Sequence, residues 1–496
     1  MSGAVADIVR RSAWRHVADP SRVITRFFVP GQEGFDDHQQ SRASPVLERL
    51  LALDEDDVRR SFDDVVARFE GRHRHLDETF RRHAAELAGR PDRGRVLSRT
   101  RRLLLGATFT AEYAIEGAAL CSPSVVADPD QTGVPAGSLR FVMSVRGIGD
   151  GHRSSIGFRT GLVDAGGDAS IDVPSPFATT GQTAAARFEA AVFRSELHRL
   201  RGGGENADYV LDALGDQFSA VELEEQLGRL QDQVATRKHV SRTISLIRRI
   251  AARTYAVRFP TDTSLTERVL WPAMWAERHG IEDARFVRFI DDDGAVSYYA
   301  TYTAYDGTNI TQQLLETTDF LAFTSSPIVG PAAANKGLAL FPRRIGGRFA
   351  ALSRADRETN TVAFSANPRQ WDRALPCQVP TRAWEVLQLG NCGSPIETDA
   401  GWLVLTHGVG PMRTYSIGAI MLDLDDPTRI LGQLREPLLS PAPDEQNGYV
   451  PNVVYSCGAL VHAGTLVVPY GIGTAAIGIA TMPLPELLSA LNTPND

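Results

Sequence analysis

The sequence predicts a mainly β protein: a five-bladed β-propeller with an N-terminal helical extension and a helical insertion. The chain has 496 residues, 43% of them hydrophobic and 23% charged, which is typical of a folded globular protein. Apolar runs rich in β-branched and aromatic residues, separated by Gly, Pro, Asp and Asn turns, fill residues 108–172 and 255 to the end. Amphipathic helical patterns occupy 44–105 and 184–253.

A loose repeat in the β-rich part predicts the blades. Each copy has a Gly turn, an apolar strand and a polar, aromatic or cationic residue at the strand end, and the last four ends lie about 50 to 60 residues apart. Sheet units of about 40 to 50 residues are typical of propeller blades. A β-sandwich with unrelated strand ends is the alternative. In a propeller, equivalent ends meet at one central face, which would carry Arg146, Tyr302 or Thr303, Arg354, His407 and Tyr470.

These patterns divide the chain into a helical extension, 1–106, and a propeller catalytic domain, 107–496, with the helical insertion at 184–253. Helices added to a complete propeller need something to cover their apolar faces. We therefore expect them to cap the site and to build a homo-oligomer interface.

Charge and cysteine usage limit the function classes. With 60 acidic and 52 basic residues, the net charge is −8, which disfavours nucleic acid as the main partner. The sequence contains no apolar run of about 18 residues, no secretory signal and no CxxC pair among its four cysteines. We therefore expect a cytoplasmic protein with reduced thiols and no membrane partner. Only Lys238 and Lys336 are lysines, so a lysine in a polar loop is a candidate functional residue.

Two stretches combine residues suited to catalysis and anion binding. Glu282 and Asp283, followed by Arg285, suit general acid–base work, although a surface turn with an ion pair gives the same pattern. Asn335 and Lys336 begin a cationic stretch that could bind phosphate or sugar hydroxyls, or could be a solvated strand end. Nucleotide-binding Gly-rich loops, the GxSxG elbow and HExxH are absent, so no nucleotide cofactor and no metal is expected.

Several motifs in one order resemble glycoside hydrolase family 130, the β-mannoside phosphorylases and β-mannosidases. The resemblance covers roughly residues 107–182 and 254–490 and is most specific in the C-terminal third. The motifs are Gly280-Ile-Glu-Asp-Ala-Arg285, Asn335-Lys336 with Leu340-Phe-Pro342, Gly393-Ser-Pro-Ile-Glu-Thr-Asp-Ala-Gly-Trp402, Leu405-Thr-His-Gly408, Tyr415-Ser-Ile-Gly-Ala, Leu422-Asp-Leu-Asp-Asp-Pro427, Gly448-Tyr-Val-Pro-Asn-Val-Val-Tyr455 and Ser456-Cys-Gly458.

The resemblance implies a five-bladed propeller with a central site and an inverting reaction on short β-manno-oligosaccharides. Asp283 would be the proton donor, and inorganic phosphate the nucleophile that yields α-mannose 1-phosphate; no cofactor is implied. An oxocarbenium-like transition state calls for an acid with a raised pKa on one face and an oriented nucleophile on the other. The predicted phosphate ligands are Asn335, Lys336, Arg354 and His407, and the predicted substrate residues are Ser122, Arg146, Glu282, Arg285, Tyr302, Asp306, Tyr415 and Thr474.

Departures from the family pattern leave the reaction open at this point. Ser122 stands where Asn is common, Ala334 replaces a frequent Arg, and Thr474 falls where an Asp often holds a sugar hydroxyl. The first alternative is an inverting β-mannosidase with Glu397 or Glu445 as the base that activates water. The second is a sugar-binding propeller without activity.

Overall fold

A computed structural model describes residues 6–31, 42–87 and 96–491 of the chain. The remaining residues, which belong to the predicted extension 1–106 and to the end of the predicted domain 107–496, lie outside the described part. The described residues form two compact units: one comprises 6–18, 118–174 and 180–491, and the other comprises 19–117 and 175–179. We describe each unit by itself.

The larger unit is mainly β and is built from five antiparallel strand groups, which follow one another in the order of the five predicted repeats. Group 1 contains Ala119–Ala127, Leu139–Ile148, Ser154–Val163 and Ala169–Ile171, with Arg268–Leu270 paired to its third strand. Group 2 contains Gly280–Ile290, Val296–Tyr305, Ile310–Thr317, Ala322–Pro327, Tyr255–Arg258 and Gln182–Ala184. One parallel bridge, between Gly280 and Ser154, joins groups 1 and 2.

The other three groups are separate sheets. Group 3 contains Ala339–Leu340, Phe349–Ser353, Asn360–Ser365 and Ala374–Gln378. Group 4 contains Gln388–Asn391, Ile396–Thr398, Gly401–Val409, Tyr415–Leu422 and Ile430–Gln433. Group 5 contains Val454–Tyr455, Leu460–His462, Thr465–Ile472, Ala476–Pro483 and, from the other end of the chain, Arg10–Val17.

Strand alternation explains how the groups bury a core. In Gly401–Val409, for example, Leu403 and Leu405 pack into one apolar cluster while Trp402 and Val404 pack into another. The strand is therefore buried on both faces, as its unbroken apolar run predicts. Such burial makes the central strands rigid supports for the side chains at their ends.

The helical insertion forms a small core of its own within the larger unit. Phe193, Leu227 and Ile247 are fully buried in it. A capping box of Ser219 and Glu222 starts the third of its four helices. The helices are Ala190–Arg199, Glu205–Asp212, Ala220–Gln231 and Val240–Ala251, and the short strands Arg187–Glu189 and Gln217–Ser219 pair beside them.

The smaller unit is mostly helical, as the sequence predicts. Gly106 lies where two of its helices meet, because a Cβ there would lie 1.9 Å from the carbonyl oxygen of Phe80. The helices are Ala43–Ala52, Glu55–Phe69, Leu76–Glu86 and Arg99–Thr108, and the strands Val23–Phe27 and Thr110–Ala114 pair antiparallel.

The remaining elements are short. Thr179–Thr180 is a two-residue strand, and Leu484–Leu491 is the last helix. None of the described helices combines the length and the apolar character that a membrane span requires. Single 3-10 turns lie at Ala6–Ile8, Asp150–His152, Leu265–Glu267, Trp275–Glu277, Pro331–Ala333, Ala383–Glu385, Pro411–Arg413 and Pro443–Glu445.

The division at residue 106 stays a prediction, but the structure adds one element to it. Residues 10–17, inside the predicted helical extension, form a strand that pairs with Ala476–Pro483. Their sequence, Arg-Arg-Ser-Ala-Trp-Arg-His-Val, lacks an alternating apolar pattern. Long-range pairing therefore decides the structure of this segment, as it commonly does for strands.

Candidate active site

A pocket of about 270 Å³ receives side chains from all five strand groups of the larger unit. Its cationic and acidic side chains lie near the ends of strands. Among the residues that line it are Ser122 and Arg146 of group 1, Asp283 of group 2, Lys336 and Arg354 beside group 3, His407 and Tyr415 of group 4, and Tyr455 and Thr474 of group 5.

Asp283 reaches the pocket through an irregular strand. The pairing of Gly280–Ile290 with its neighbour shifts register between Glu282 and Arg285, and Asp283 has a left-handed backbone with φ 54°. Such bulges redirect side chains and occur often beside active sites. The carboxylate is buried, and its Oδ1 accepts a hydrogen bond from Ser122 Oγ at 2.7 Å.

Arg285 fixes the backbone on which Asp283 is carried. Its guanidinium donates to the Asp283 carbonyl oxygen at 3.0 Å, to Asn391 Oδ1 at 3.2 Å and to the Tyr455 hydroxyl at 2.6 Å. Asn391 in turn donates to the Gly337 carbonyl oxygen at 2.6 Å. One buried cation thus ties groups 2, 4 and 5 together behind the pocket.

Arg146 holds both carboxylates of the Glu282–Asp283 pair. It donates to Glu282 Oε1 at 2.7 Å and to Asp283 Oδ1 at 3.3 Å. Lys336 Nζ lies 3.9 Å from Glu282 Oε2 and keeps 41% of its side chain exposed. The two carboxylates therefore face Arg146, Arg285 and Lys336, so the surroundings of Asp283 are electropositive.

This electropositive setting controls the acidity of Asp283. Burial raises the pKa of the carboxyl, but Arg146, Lys336 and Arg285 outweigh burial and hold that pKa well below its usual range. Asp283 is therefore ionised in the ligand-free protein. A general acid needs a raised pKa, and for Asp283 this requires a negative charge that counters these cations.

Arg354 is a buried guanidinium without a carboxylate partner among the described residues. It is 8% exposed, and its one described side-chain hydrogen bond joins Nη1 to His407 Nε2 at 3.3 Å. Burial lowers the pKa of Arg354, yet arginine stays charged in proteins. An unpaired buried charge is costly, so this arrangement is typical of a site that binds an anion.

His407 has its ring nitrogens committed to protein partners. Nδ1 lies 3.0 Å from the Asn391 carbonyl oxygen, so it carries the hydrogen, and Nε2 accepts from Arg354. Burial, followed by the charges of Arg354 and Arg285, lowers the pKa of His407 well below its usual value. The neutral imidazole orients Arg354. Gly390 leaves space for it, because a Cβ there would lie 2.5 Å from His407 Cε1.

Comparison with known proteins decides the family. The sequence profile of glycoside hydrolase family 130, described as beta-1,4-mannooligosaccharide phosphorylase, matches residues 219–493, which is more than half of the chain. This protein belongs to glycoside hydrolase family 130. The curated relatives that it matches are named as β-mannoside phosphorylases, and phosphorylases of this family need no cofactor beyond phosphate as a substrate.

Two curated relatives and one solved structure illustrate the similarity. A 1,2-beta-oligomannan phosphorylase from Thermoanaerobacter sp. (strain X514) is 33% identical over 42% of this chain and 71% of its own length. A beta-1,2-mannobiose phosphorylase from Listeria innocua is 30% identical over 45% of this chain and 63% of its own. The beta-1,2-mannobiose complex of the Listeria innocua phosphorylase matches 76% of this chain and 93% of that chain, with 21% identity and a TM-score of 0.44.

Most of the predicted site residues lie in or against the pocket of this family 130 member. Thr474 has a left-handed backbone with φ 58°, and Tyr415 stacks on His407 with 6.2 Å between ring centres. Asn335 supports the site from behind, because its amide donates to the Arg354 carbonyl oxygen at 3.3 Å. Glu282 and Arg285 act through their contacts with Arg146 and Asp283, respectively.

Four further predicted substrate or base residues lie away from the pocket. The Tyr302 hydroxyl lies in a buried cluster with Glu277 and Ser325. Asp306 accepts backbone hydrogen bonds in a surface turn. Glu397 forms a bidentate pair with Arg343 at the surface, and buried Glu445 accepts from the Tyr470 hydroxyl at 2.6 Å.

Sequence reasoning missed several residues that the structure brings to the site. Asn391 and Tyr455 anchor Arg285, while Arg413 and half-exposed Tyr449 lie at the pocket. The Tyr449 hydroxyl is 3.2 Å from His152 Nδ1. Asn391, Tyr449 and Tyr455 lie in or beside the motifs that carry the family resemblance. The sequence therefore marked their segments but did not indicate their contacts. No group of three or more His, Cys, Asp or Glu among the described residues could hold a metal ion.

Proposed function

We propose that this protein is an inverting β-mannoside phosphorylase that acts on short β-manno-oligosaccharides. Asp283 donates the proton, and inorganic phosphate, held by Lys336 and Arg354, attacks the anomeric carbon. The observation that carries the proposal is the buried, unpaired guanidinium of Arg354 in the same pocket as a single lining carboxylate, Asp283. Phosphate is already a nucleophile, so the reaction needs cations and one acid rather than two carboxylates.

The reaction balances with the groups in the pocket. A phosphate oxygen forms a bond to the anomeric carbon on the face opposite the leaving sugar, while the glycosidic carbon–oxygen bond breaks. The proton of Asp283, passed directly or through a sugar hydroxyl, goes to the leaving oxygen. The products are α-mannose 1-phosphate and a sugar shortened by one residue, and Asp283 is left as the carboxylate that Ser122 and Arg146 stabilise.

Phosphate also supplies the negative charge that allows Asp283 to hold a proton. Arg146, Lys336 and Arg285 hold the pKa of Asp283 low. A phosphate dianion beside Lys336 and Arg354 opposes these charges, and a nearby negative charge raises the pKa of a buried carboxyl. Phosphate binding therefore converts Asp283 from a carboxylate into an acid. His407 serves this step indirectly by holding Arg354 in place.

Hydrolysis has less support. The two candidate bases, Glu397 and Glu445, are both committed to arginine or tyrosine partners and neither lines the pocket. A base must be within hydrogen-bond reach, directly or through one water, of the proton it removes. We therefore assign no role in the reaction to either glutamate.

The mannoside specificity is proposed from the relatives. Their names give β-1,2-oligomannan, β-1,2-mannobiose and β-1,4-manno-oligosaccharide as substrates. We propose a β-mannoside with one of these two linkages as the substrate of this chain. We propose the cytoplasm as the location, because all four cysteines are free thiols.

We further propose that the five strand groups are the blades of a propeller. Each group contributes to one pocket, and strand Arg10–Val17 completes the group formed by the last strands of the chain. Homo-oligomerisation through the helical additions stays a prediction, and light scattering of the protein in solution would test it.

One assay tests the function. The protein is incubated with β-1,2- and β-1,4-mannobiose, with and without phosphate, and products are followed by ³¹P NMR and sugar chromatography. Phosphate-dependent α-mannose 1-phosphate is expected. Phosphate-independent release of free mannose would establish a mannosidase instead. Binding of mannobiose without turnover would establish a sugar-binding protein.

A further inference from the structure

The two carboxyl oxygens of Asp283 have different surroundings. Oδ1 accepts hydrogen bonds from Ser122 Oγ at 2.7 Å and from Arg146 Nη1 at 3.3 Å. No described residue donates to Oδ2. Because Asp283 lines the pocket, Oδ2 is the oxygen available to a substrate.

The backbone is bent at both ends of the Ser122–Asp283 hydrogen bond. Ser122 has φ 50° and Asp283 has φ 54°, and both values lie in the left-handed region that non-glycine residues seldom adopt. Each residue also sits where its strand shifts register, between Cys121 and Ser124 in one strand and between Glu282 and Arg285 in the other. Two strained positions that face each other across neighbouring strand groups are typical of a geometry held for function.

We propose that Ser122 is a positioning residue that, together with Arg146, keeps the catalytic proton of Asp283 on Oδ2. This inference rests on the proposed function. Arginine can only donate, so Oδ1 continues to receive the Arg146 hydrogen when Asp283 is protonated. With the Ser122 hydrogen also directed at Oδ1, the acidic proton resides on Oδ2, the oxygen to which no described residue donates.

The proton transfer then has one defined path. The Oδ2–H bond breaks as its proton is transferred to the leaving oxygen, or to the sugar hydroxyl that relays it. The glycosidic bond breaks in the same step. The charge left on Asp283 is shared with Ser122 and Arg146, and solvent returns a proton for the next turnover. Without Ser122, one of the two donors that distinguish the oxygens is lost.

A substitution of Ser122 can be interpreted simply because its side chain carries no charge. Burial raises the pKa values of Cys121, to about 11, and of Tyr455, so both stay neutral near pH 7, as His407 does. Loss of the Ser122 hydroxyl therefore changes one hydrogen bond but no charge near Asp283. The charged groups that face Asp283 are Arg146, Arg285, Lys336, Arg354 and Glu282.

The first test is Ser122→Ala, assayed with β-mannobiose and phosphate across pH. A hydrogen bond to the carboxylate lowers its pKa, so its removal moves the basic limb of the kcat profile, which reports the enzyme–substrate complex, to higher pH. We expect kcat on mannobiose to fall about 10- to 100-fold, since general acid catalysis contributes about 10²- to 10⁴-fold in total. With 2,4-dinitrophenyl β-mannoside, whose leaving group needs no proton, kcat should change less than about threefold.

Two further variants separate the hydroxyl from the backbone. Ser122→Asn keeps a donor and tolerates the left-handed conformation, so it should restore the wild-type pH limb and most of kcat on mannobiose. Ser122→Gly relieves the backbone strain without a donor and should behave like Ser122→Ala. Thermal melting of each variant checks that it is folded.

Two outcomes would overturn the proposal. One is Ser122→Gly matching wild type while Ser122→Ala is impaired, which would assign the role to the backbone. The other is an equal loss on mannobiose and on the dinitrophenyl substrate with an unmoved pH limb, which would assign a role in binding. Failure of the proposed function is distinct, because wild-type protein would then show no phosphate-dependent turnover at all.

Discussion

Asp283 and Glu277 are two buried acids whose surroundings push their pKa values in opposite directions. Burial favours the neutral form of both. Glu277 accepts hydrogen bonds from the Tyr302 and Tyr255 hydroxyls and from the Ala273 amide, yet burial prevails and its pKa is raised. Around Asp283 the positive charge of Arg146, Lys336 and Arg285 prevails, and its pKa is lowered.

The difference shows that depth of burial does not identify the carboxyl that lines the pocket. Glu277 is the more deeply buried and has the raised pKa that is sought in a general acid, but it does not line the pocket. Asp283 lines the pocket and, in the proposed function, becomes an acid when an anion binds beside it. The predictions below test this contrast between a structural and a ligand-dependent carboxyl.

The largest effect is expected from Asp283→Asn. The amide cannot donate an acidic proton, so kcat for phosphorolysis of mannobiose should fall about 10²- to 10⁴-fold. The matched control is Glu277→Gln, which alters a buried carboxyl outside the pocket and should keep kcat within about twofold of wild type. The rate of mannose 1-phosphate release measures kcat for both variants. A larger loss of kcat in Glu277→Gln than in Asp283→Asn would reverse the assignment of the proton donor.

A smaller effect is expected when the unpaired cation is removed. Arg354→Met should raise the KM for phosphate about 10- to 100-fold, because a hydrogen bond between charged groups contributes about 1.5–3 kcal/mol. Arg343→Met is the control, since that arginine is paired with Glu397 at the surface. An unchanged KM for phosphate in Arg354→Met would show that the anion binds elsewhere.

The third prediction concerns the proton that accompanies the anion. Sulfate is a dianion that does not titrate near neutral pH, so any pH dependence of its binding reports on the protein. If sulfate raises the low pKa of Asp283, the complex takes up a proton and binding tightens as pH falls, by at most about tenfold per pH unit. Sulfate affinity should therefore decrease as pH rises through the pKa of the complex.

Isothermal titration of sulfate at several pH values measures this linkage. Asp283→Asn lacks the titrating group, so its sulfate affinity should be independent of pH over the same range. A pH dependence that persists in Asp283→Asn would assign the proton to another residue.

The smallest effect is expected at the structural carboxyl. Tyr302→Phe removes a buried hydrogen bond to Glu277 and should lower the free energy of unfolding by about 1–2 kcal/mol. The KM values for mannobiose and phosphate should stay unchanged. Urea unfolding and steady-state kinetics check both points. A raised KM for mannobiose would indicate that Tyr302 contacts the sugar.

Strand-end counting names some residues that line the pocket and some that do not, for a physical reason. Arg146, Arg354 and His407 lie at strand ends and line the pocket. The same pattern predicted Tyr302 or Thr303, and Tyr470, but none of these lines the pocket. In the case of Tyr470 the neighbouring Gly471 lines it instead. Successive side chains alternate between faces, so a one-residue difference in register reverses a prediction.

Bulges set another limit on prediction from sequence. The register shifts at Ser122 and Asp283 bring these two residues together, and neither shift follows from the pattern of apolar residues. Glu397 was a candidate base because of its motif, but its pairing with Arg343 depends on a contact 54 residues away. The mainly β fold and the family were accessible from sequence, whereas the partners of each charge were not.

Strand Arg10–Val17 has a consequence for how the chain reaches this structure. It pairs with Ala476–Pro483, more than 450 residues later in the sequence. During synthesis, strand Arg10–Val17 cannot pair with this partner until almost the whole chain has left the ribosome. Contacts of such long range are slow to form. We therefore expect group 5 to be the last sheet completed, and the protein to gain its Tyr455 and Thr474 pocket wall only at the end of folding.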